Sequence, residues 1–307
     1  MTATEGPATD RKALRVLVVG GASRAARSFR CHAATSPDLE IVSLVRRDTD
    51  AFDRETMIKV TDYFSPPDAV LQAADAVVNF VGLTKGIDEQ ALKAVNVDGP
   101  ARLAATAKRL GVAHFVQLSS FHVYGYAEDI SAATPPAPQT LYARSKLAAD
   151  EALLPLADAA FAVTAFRLPI LYGKGVGENL TRLASLMARA PLFPVLRQVP
   201  LRSGMHIDNL AVLVEAVLLQ RAGGIRFGAD PEPYTIEMLA DVIGEASGKR
   251  PNLLHLPAAA FFPLRVVSQG FYSRLCRRNL VQQGDCVRPE GALPVPVRIA
   301  LRDVLPF

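Results

Sequence analysis

The sequence predicts a doubly wound α/β fold: a parallel sheet covered by helices on both faces, with a smaller lobe woven from the C-terminal half. Three observations predict it. Five short Val/Ile-rich runs recur through the first half of the chain, helical patterns separate them, and the texture changes beyond Gly173. Runs that are apolar at nearly every position have to be buried on both faces, which is the mark of a parallel sheet covered by crossover helices.

The first run, residues 15–19 (RVLVV), ends at Gly20-Gly21. Residues 41–45 (IVSLV), 76–81 (AVVNFV), 113–118 (AHFVQL) and 162–167 (AVTAFR) supply the other four. Between them, residues 88–110 carry Ala91, Val95, Leu103 and Leu110 at helical spacing, and 141–154 form a similar segment. Further on, 180–189 read as a helix, followed by a stretch punctuated by Pro191, Pro194 and Pro200. His206-Ile207-Asp208-Asn209 leads into an apolar helix over 210–219, and Thr235 caps another over 235–247. The expected division is a flexible tail over 1–12, a sheet domain over 13–172 and about 205–228, and a smaller lobe over 173–204 and 229–307. In open sheets of this kind ligands bind beyond the carboxyl ends of the strands, so the residues just after each run are the ones to question.

Composition narrows the function classes. Of 307 residues half are apolar and 21% charged, enough for a large core and too ordered for a disordered chain. Lys and Arg number 34 against 30 acidic residues, and the resulting +4, with no Trp and 7% aromatics, excludes a nucleic-acid binder. Cys31, Cys276 and Cys286 form no C-x-x-C pair, which points to free thiols in a reducing compartment. The first twelve residues are polar and do not read as a leader, and no run reaches the roughly 18 apolar residues of a membrane span. A cytoplasmic protein is expected. Residues 261–278 (FFPLRVVSQGFYSRLCRR) mix apolar and basic residues as an interfacial helix would. Pro263 and Gly270 are expected to interrupt that helix, so a place in the lobe's own core is favoured over membrane contact.

The chemistry sits after the fourth run, at Ser119-Ser120-Phe121-His122-Val123-Tyr124-Gly125, followed by Tyr142-Ala143-Arg144-Ser145-Lys146. Tyr and Lys at i and i+4 share one face of a helix. A buried ammonium beside the phenol is expected to lower its pKa, and an oxidised nicotinamide to lower it further, so that Tyr142 exchanges a proton with a substrate hydroxyl near neutral pH. Ser120, at a strand end, can bond the same oxygen while hydride moves to or from the cofactor.

With these residues in this order, the chain resembles the extended short-chain dehydrogenase/reductase family, in its nucleotide-sugar epimerase, dehydratase and 4-ketoreductase branch. The resemblance runs roughly over residues 14–249. It includes Val77-Val78-Asn79-Phe80-Val81-Gly82, Val95-Asn96-Val97-Asp98-Gly99, Arg167-Leu168-Pro169-Ile170-Leu171-Tyr172-Gly173 and His206-Ile207-Asp208-Asn209-Leu210. It implies a Rossmann-type fold and an enzyme, an NAD(P)-dependent epimerase or 4-ketoreductase acting on a nucleotide-sugar, with Ser120, Tyr142 and Lys146 catalytic. Val81, Asn96, Tyr142 and Lys146 would touch the cofactor, and Asp62 would lie near its adenine. In the segment 175–186 Asn179 would bond a sugar-side phosphate and Arg202 the diphosphate, with a helix cap and a surface charge as the structural alternatives. His122 touches substrate or has no chemical duty. The dehydrating members carry an acidic pair after the catalytic Ser/Thr; Phe121 and His122 stand there in this chain, which disfavours loss of water. The family often dimerises through two long helices, here 88–110 and 141–154.

The phosphate loop departs from the pattern. The expected G-x-x-G-x-x-G lets backbone amides approach a pyrophosphate at a helix start. Counted from Gly20, Ser23 and Ala26 stand for the later glycines; counted from Gly21, Ala25 and Arg27 do. Small side chains leave close approach open, and Arg24 could meet phosphate directly. At the end of the second run Leu44-Val45-Arg46-Arg47-Asp48 offers arginine where an acid would favour NAD, so the cofactor is NADP or NAD with a lean to NADP through Arg46. The weakened loop keeps a second reading open, a non-catalytic dinucleotide-binding scaffold or sensor of the same fold.

Overall fold

In the computed structural model the described residues are 12–84, 88–267 and 269–305. Seven strands form a wholly parallel sheet: β1 (Leu14–Val19), β2 (Leu39–Val45), β3 (Glu55–Lys59), β4 (Ala76–Asn79), β5 (His114–Ser120), β7 (Ala162–Leu168) and β11 (Gly224–Phe227). Their order is β3-β2-β1-β4-β5-β7-β11, so the strand sequence reverses between β1 and β4. The expected doubly wound fold is the one observed.

Side-chain alternation explains why the strands are apolar throughout. Val16 and Val18 enter one core with Phe29, Leu210 and Val214, from helices α1 (Arg24–Ala33) and α7 (Ile207–Leu219). Leu17 and Val19 enter the opposite core with Leu103 and Leu153. Those two come from α4 (Gly99–Arg109) and α5 (Leu141–Leu153). Each fully buried Val or Leu contributes about 1.5–3 kcal/mol, and both faces draw on it. Helix α2 (Asp68–Gln72) places Leu71 in the second core.

Two sheet strands lie outside the five apolar runs. They are the edges β3 and β11, only partly covered, where ETMIK and GIRF need no continuous apolar pattern. The third run stops at Asn79 instead of 81, because Asn79 Oδ1 accepts the Val81 N–H at 3.0 Å and turns the chain out of the sheet. The helix expected over 88–110 is α3 (Glu89–Lys93), a π-helical turn over Ala94–Asp98, and α4. A Cβ at Gly99 would sit 2.3 Å from the Phe64 ring, which fixes how closely this helix crosses the loop after β3.

The C-terminal half adds α6 (Glu178–Arg189), α8 (Ile236–Ser247), α9 (Phe262–Val267), α10 (Gln269–Cys276) and α11 (Val297–Arg302). Three small parallel pairs join β8 (Ile170–Tyr172) to β10 (Gly204–His206), β9 (Phe193–Leu196) to β12 (Leu253–Leu256), and β6 (Asp129–Ile130) to β13 (Leu280–Val281). Of these elements, α6, α8, α11, β8 and β9 share a third core that includes Met187, Phe193, Leu239, Ile243 and Leu301, while Ile130 and Val281 of β6 and β13 join Phe121, Tyr124 and Phe227 in a fourth. The hub of the third is Asp230. That carboxylate accepts from the Tyr172 hydroxyl at 2.6 Å, Asn209 Nδ2 at 2.8 Å and the His206 N–H, while Asn209 also binds the backbone of Val295 and His206 reaches Asp303. Thr235 caps α8 as expected. Pro263 lies at the second position of α9, where its missing N–H costs little, and Gly270 lies within α10, so neither ends the helix it belongs to. Phe262, Val266 and Val267 on α9 are exposed, whereas Phe261 just before it is buried and Cys276 of α10 packs against the third core.

Candidate active site

At the β1/β4 reversal a cleft of about 530 Å³ is lined by Gly20, Ser23, Arg46, Arg47, Val81 and Gly82. A second hollow of similar size continues it past Asp62, Tyr63, Leu83 and Val95. Gly20 has φ +82°, and a Cβ there would lie 2.7 Å from Val81 Cγ2, so glycine is required where the loop crosses the neighbouring strand end. The two missing glycines are accounted for by geometry. Ser23 has φ −70° and ψ 153°, accessible to any residue, and as the cap of α1 its hydroxyl accepts the Ala26 N–H at 3.2 Å. Ala26 is fully buried and its methyl fills the sheet core. The loop therefore still presents a helix N-terminus to the cleft, as a pyrophosphate requires.

A buried arginine holds this loop from below. Arg30 Nη1 donates to the Gly21 carbonyl at 2.8 Å, and its Nε and Nη2 form a fork on Glu55 at 2.6 and 2.8 Å. Glu55 also accepts from Ser43 and from the Phe52 N–H. Burial opposes its ionisation, but these bonds hold its carboxyl below the usual range. Nothing in the one-dimensional pattern marks Arg30, a single charge on an amphipathic helix.

Arg46 lies over the Tyr63 ring at 4.9 Å and lines both hollows; Arg47, its neighbour in the quoted run, lines the first. Asp48 is drawn off to Lys59 at 3.0 Å. Asp62 faces the second hollow with one oxygen on the Phe64 N–H and the other 3.1 Å from Arg102. Arg24 lies across Gly175, where an added Cβ would meet its guanidinium at 2.4 Å, so it spans from the phosphate loop to the Gly173–Gly177 turn rather than entering the cleft lining.

The reacting groups come from β5 and α5. Ser120 ends β5, and its hydroxyl lies 3.0 Å from His122 Nδ1. Thr140 caps α5, setting Tyr142 in its first turn and Lys146 one turn on. Lys146 is buried and donates to the Leu118 carbonyl; burial pulls its pKa down to about 8, with Asp150 acting in the opposite direction. The expected lowering of the phenol is not what the site shows. Burial pushes Tyr142 up, the Ser120 hydroxyl only partly offsets this, and Asp150 adds to the rise. Burial thus holds the proton on the Tyr142 phenol more firmly than water does.

Asp150, a further turn along α5, is the partner sequence reasoning missed. It accepts from Ser119 Oγ and Arg167 Nε, each at 2.9 Å, and Arg167 in turn reaches the Tyr124 hydroxyl at 2.6 Å. The repeat Tyr142-x-x-x-Lys146-x-x-x-Asp150 was the available signal. Asn96, in the π-helical turn, ties the cofactor hollow to α5. Its amide spans Leu83 N and O and also donates to Ser145 Oγ at 2.9 Å. Phe121 is buried against Tyr124 and Phe227, leaving His122 to face Tyr142. Asn179 is exposed in the first turn of α6, while Arg202 is half-buried with its Nη2 3.4 Å from the Ser273 carbonyl of α10. Among the described residues no cluster of His, Cys, Asp or Glu could hold a metal, and no helix is long and apolar enough to cross a membrane. All three cysteines are free.

The profile of the NAD dependent epimerase/dehydratase family matches residues 16–226. This chain belongs to that family. The ceramide reductase of Caulobacter vibrioides is 31% identical over 221 residues, covering 70% of this chain and 65% of that protein. Among solved structures, the UDP-glucuronic acid 4-epimerase of Bacillus cereus in complex with NAD superposes with TM-score 0.74 at 15% identity, covering 94% of this chain and 97% of that one. The UDP-Glc/GlcNAc 4-epimerase of Campylobacter jejuni gives TM-score 0.71 at 16% identity over 95% and 98%. This chain thus shares its fold with both solved structures, and the crevice at the β1/β4 reversal is where ligands bind in open sheets of this kind.

Proposed function

We propose that the protein is an NAD(P)-dependent oxidoreductase or epimerase of a nucleotide-linked sugar, working at C4 or a neighbouring carbon. The observation that carries this is the assembly of Ser120, Tyr142 and Lys146 beside the dinucleotide hollow, joined to it through Asn96 and Leu83. A bound dinucleotide supplies or takes up the hydride. Ser120 orients the reacting oxygen, and Tyr142 gives it a proton. Lys146 holds positive charge beneath them. The upward shift of Tyr142 suits the reductive direction, in which a neutral phenol protonates the nascent alkoxide. Arg46 and Arg47 at the end of β2, with no carboxylate lining that stretch of cleft among the described residues, support NADP over NAD. On this reading residues 13–172 and about 205–228 hold the cofactor, 173–204 and 229–307 hold the substrate with Asn179 and Arg202 toward its phosphates, and a homodimer forms through the outer face of α3–α5. The solved relatives that handle UDP-sugars support the substrate class. The test is thermal shift with NAD(H) and NADP(H), then a screen of UDP- and dTDP-sugars. Tyr142→Phe is expected to lower kcat by about 10²–10⁴-fold. If no dinucleotide raises the melting temperature, the catalytic reading falls; a dinucleotide that binds with no sugar turned over points to the non-catalytic scaffold or sensor.

One set of observations favours a second substrate. The Caulobacter relative is a ceramide reductase, and Phe262, Val266 and Val267 stand 61%, 73% and 84% exposed on α9. A ceramide-like lipid would draw on such a surface, and co-sedimentation with anionic liposomes, reduced by Val266→Asp, tests it.

A further inference from the structure

We propose that the outer surface of the C-terminal lobe, from the β9/β12 pair to α9, docks on an anionic lipid bilayer; this extends the lipid reading above to the bilayer itself and holds whether or not the substrate is a lipid. The chain carries its exposed apolar surface here in one run. From Pro257 to Val267 (PAAAFFPLRVV) the only polar residue is Arg265, yet of the residues whose burial is described only Phe261 turns into the protein. A contiguous apolar surface of this kind marks a contact site. A 3-10 turn over Ala258–Phe261 leads from β12 straight into α9, where Phe262 and Val266, four apart, share an exposed face. The β9/β12 pair buries Phe193 and Val195, so Pro194 and its register partner Leu254 point outward, and both are exposed, as is Leu192 just before the strand. Helix α10 packs on both α9 and β9, which joins the two parts.

Charge decides which occupant fits. The stretches that build this surface, 179–207 and 246–284, hold ten Lys and Arg and not one Asp or Glu, whereas acids outnumber bases in the rest of the chain. Arg182, Arg250 and Arg278 are paired with Glu178, Asp241 and Asp129. Arg189, Arg197, Lys249 and Arg265 are exposed and have no carboxylate partner among the described residues. A second copy of this chain would bring the same cations against themselves. An anionic bilayer instead offers a negative surface potential to the cations and an acyl boundary to Phe262, Val266 and Val267. Arg265, nearly one turn from Phe262, can lay its stem along the apolar surface and keep its guanidinium among headgroup phosphates. Among the described residues no helix can span the bilayer, so the contact is peripheral.

The probe is vesicles of phosphatidylcholine with about one-third phosphatidylglycerol, with phosphatidylcholine alone as the neutral arm. The full chain is expected to co-sediment with the anionic vesicles at least about tenfold more strongly than with the neutral ones, and to be released by salt. Val266→Asp and Arg265→Glu are each expected to weaken this binding at least about fivefold. Both side chains are exposed, so the melting temperature is expected to hold, and Ile299→Asp, also exposed but on α11, is expected to dock like the parent. The chain has no Trp, so Val266→Trp supplies its only indole. That indole is expected to shift its emission to the blue on anionic vesicles and to be quenched by bromine on the acyl chains. Equal binding to both vesicles, an unquenched indole, or a loss in Ile299→Asp as large as in Val266→Asp overturns the proposal. So does an indole already blue-shifted without lipid in a manner that follows protein concentration, which assigns the face to a second copy. Docking is measured with no dinucleotide or substrate present, so it fails separately from the readings above. A docked protein that turns over a UDP-sugar and no ceramide-like lipid removes the lipid substrate alone, whereas turnover of such a lipid in detergent by a protein that ignores vesicles removes the docking face alone.

Discussion

Removing the charge of Arg30 gives the sharpest test of how this chain keeps a phosphate loop with two glycines missing. In Arg30→Met the fork on Glu55 and the bond to the Gly21 carbonyl are lost together. The Arg30 and Glu55 side chains are 0% and 2% exposed, so Glu55 becomes a buried carboxylate without its counter-charge. Breaking one half of such a pair costs about 3–5 kcal/mol. A chain of this size loses roughly 2–4 °C of melting temperature per kcal/mol, so the expected fall is about 6–20 °C. Arg30→Met/Glu55→Leu removes both charges and is expected to recover most of that stability, because an apolar pair of similar volume does well in a dry site. The double variant still lacks the bond to Gly21. Its dinucleotide affinity is expected to remain about tenfold weaker than that of the parent, equivalent to one lost hydrogen bond of about 1.4 kcal/mol. Urea unfolding and dinucleotide titration read the two effects separately. A single variant within 1 kcal/mol of the parent, or a double variant as unstable as the single, refutes the reasoning about the pair; full affinity in the double variant refutes the strut.

Acid should act on the same pair. Glu55 has its folded pKa below 4.5, so its stabilisation is present above 4.5 and lost as pH falls through the lower folded value, a dependence Glu55→Gln should remove. Lys146 behaves differently, because its folded pKa of about 8 lies below the ordinary 10.5. The unfolded chain binds the extra proton between these values, so stability should rise with pH across that window, and Lys146→Met should flatten the rise in thermal unfolding. For the cofactor, Arg46→Glu is expected to weaken NADPH by at least about tenfold while sparing NADH, read by fluorescence titration; equal loss of both would remove Arg46 as the 2′-phosphate contact.

The sheet was legible because its central strands are apolar on both faces and so announce themselves residue by residue. The edge strands β3 and β11 were not, since an edge half open to water can be written in Glu, Thr, Lys and Arg. At the site, Ser120, Tyr142 and Lys146 could be found because a helical i, i+4 pair after a strand-end serine leaves a linear trace. Arg30 and Asp150 left weaker traces or none. Arg30 and Glu55 are 25 residues apart and meet only once α1 has crossed the sheet. The glycine loop shows the converse. Ser23 and Ala26 looked like damage when counted against a motif, yet one is a helix cap and the other fills the core, and the dihedral angles that need glycine fall at Gly20. The phenol was misjudged for a physical reason: a neighbouring ammonium invites an expectation of lowered pKa, but burial, which no linear pattern displays, outweighs it.

The Asp230 hub bears on how the chain is made. Tyr172, His206, Asn209, Asp230, Val295 and Asp303 converge there from segments spread over 130 positions, with the sheet strand β11 laid down between the first and last of them. On the ribosome, the sheet strands β1 to β5 and β7 can pair as they emerge, but the hub cannot close until residue 303 has left the exit tunnel. Until then Asn209 and His206 lack their last partners, and Met187, Phe193 and Leu239 lack the apolar surface of α11. The nascent protein thus passes through a stage in which the sheet is built and this third core is open, when chaperone capture or proteolysis would fall on the substrate side while the cofactor side is already formed.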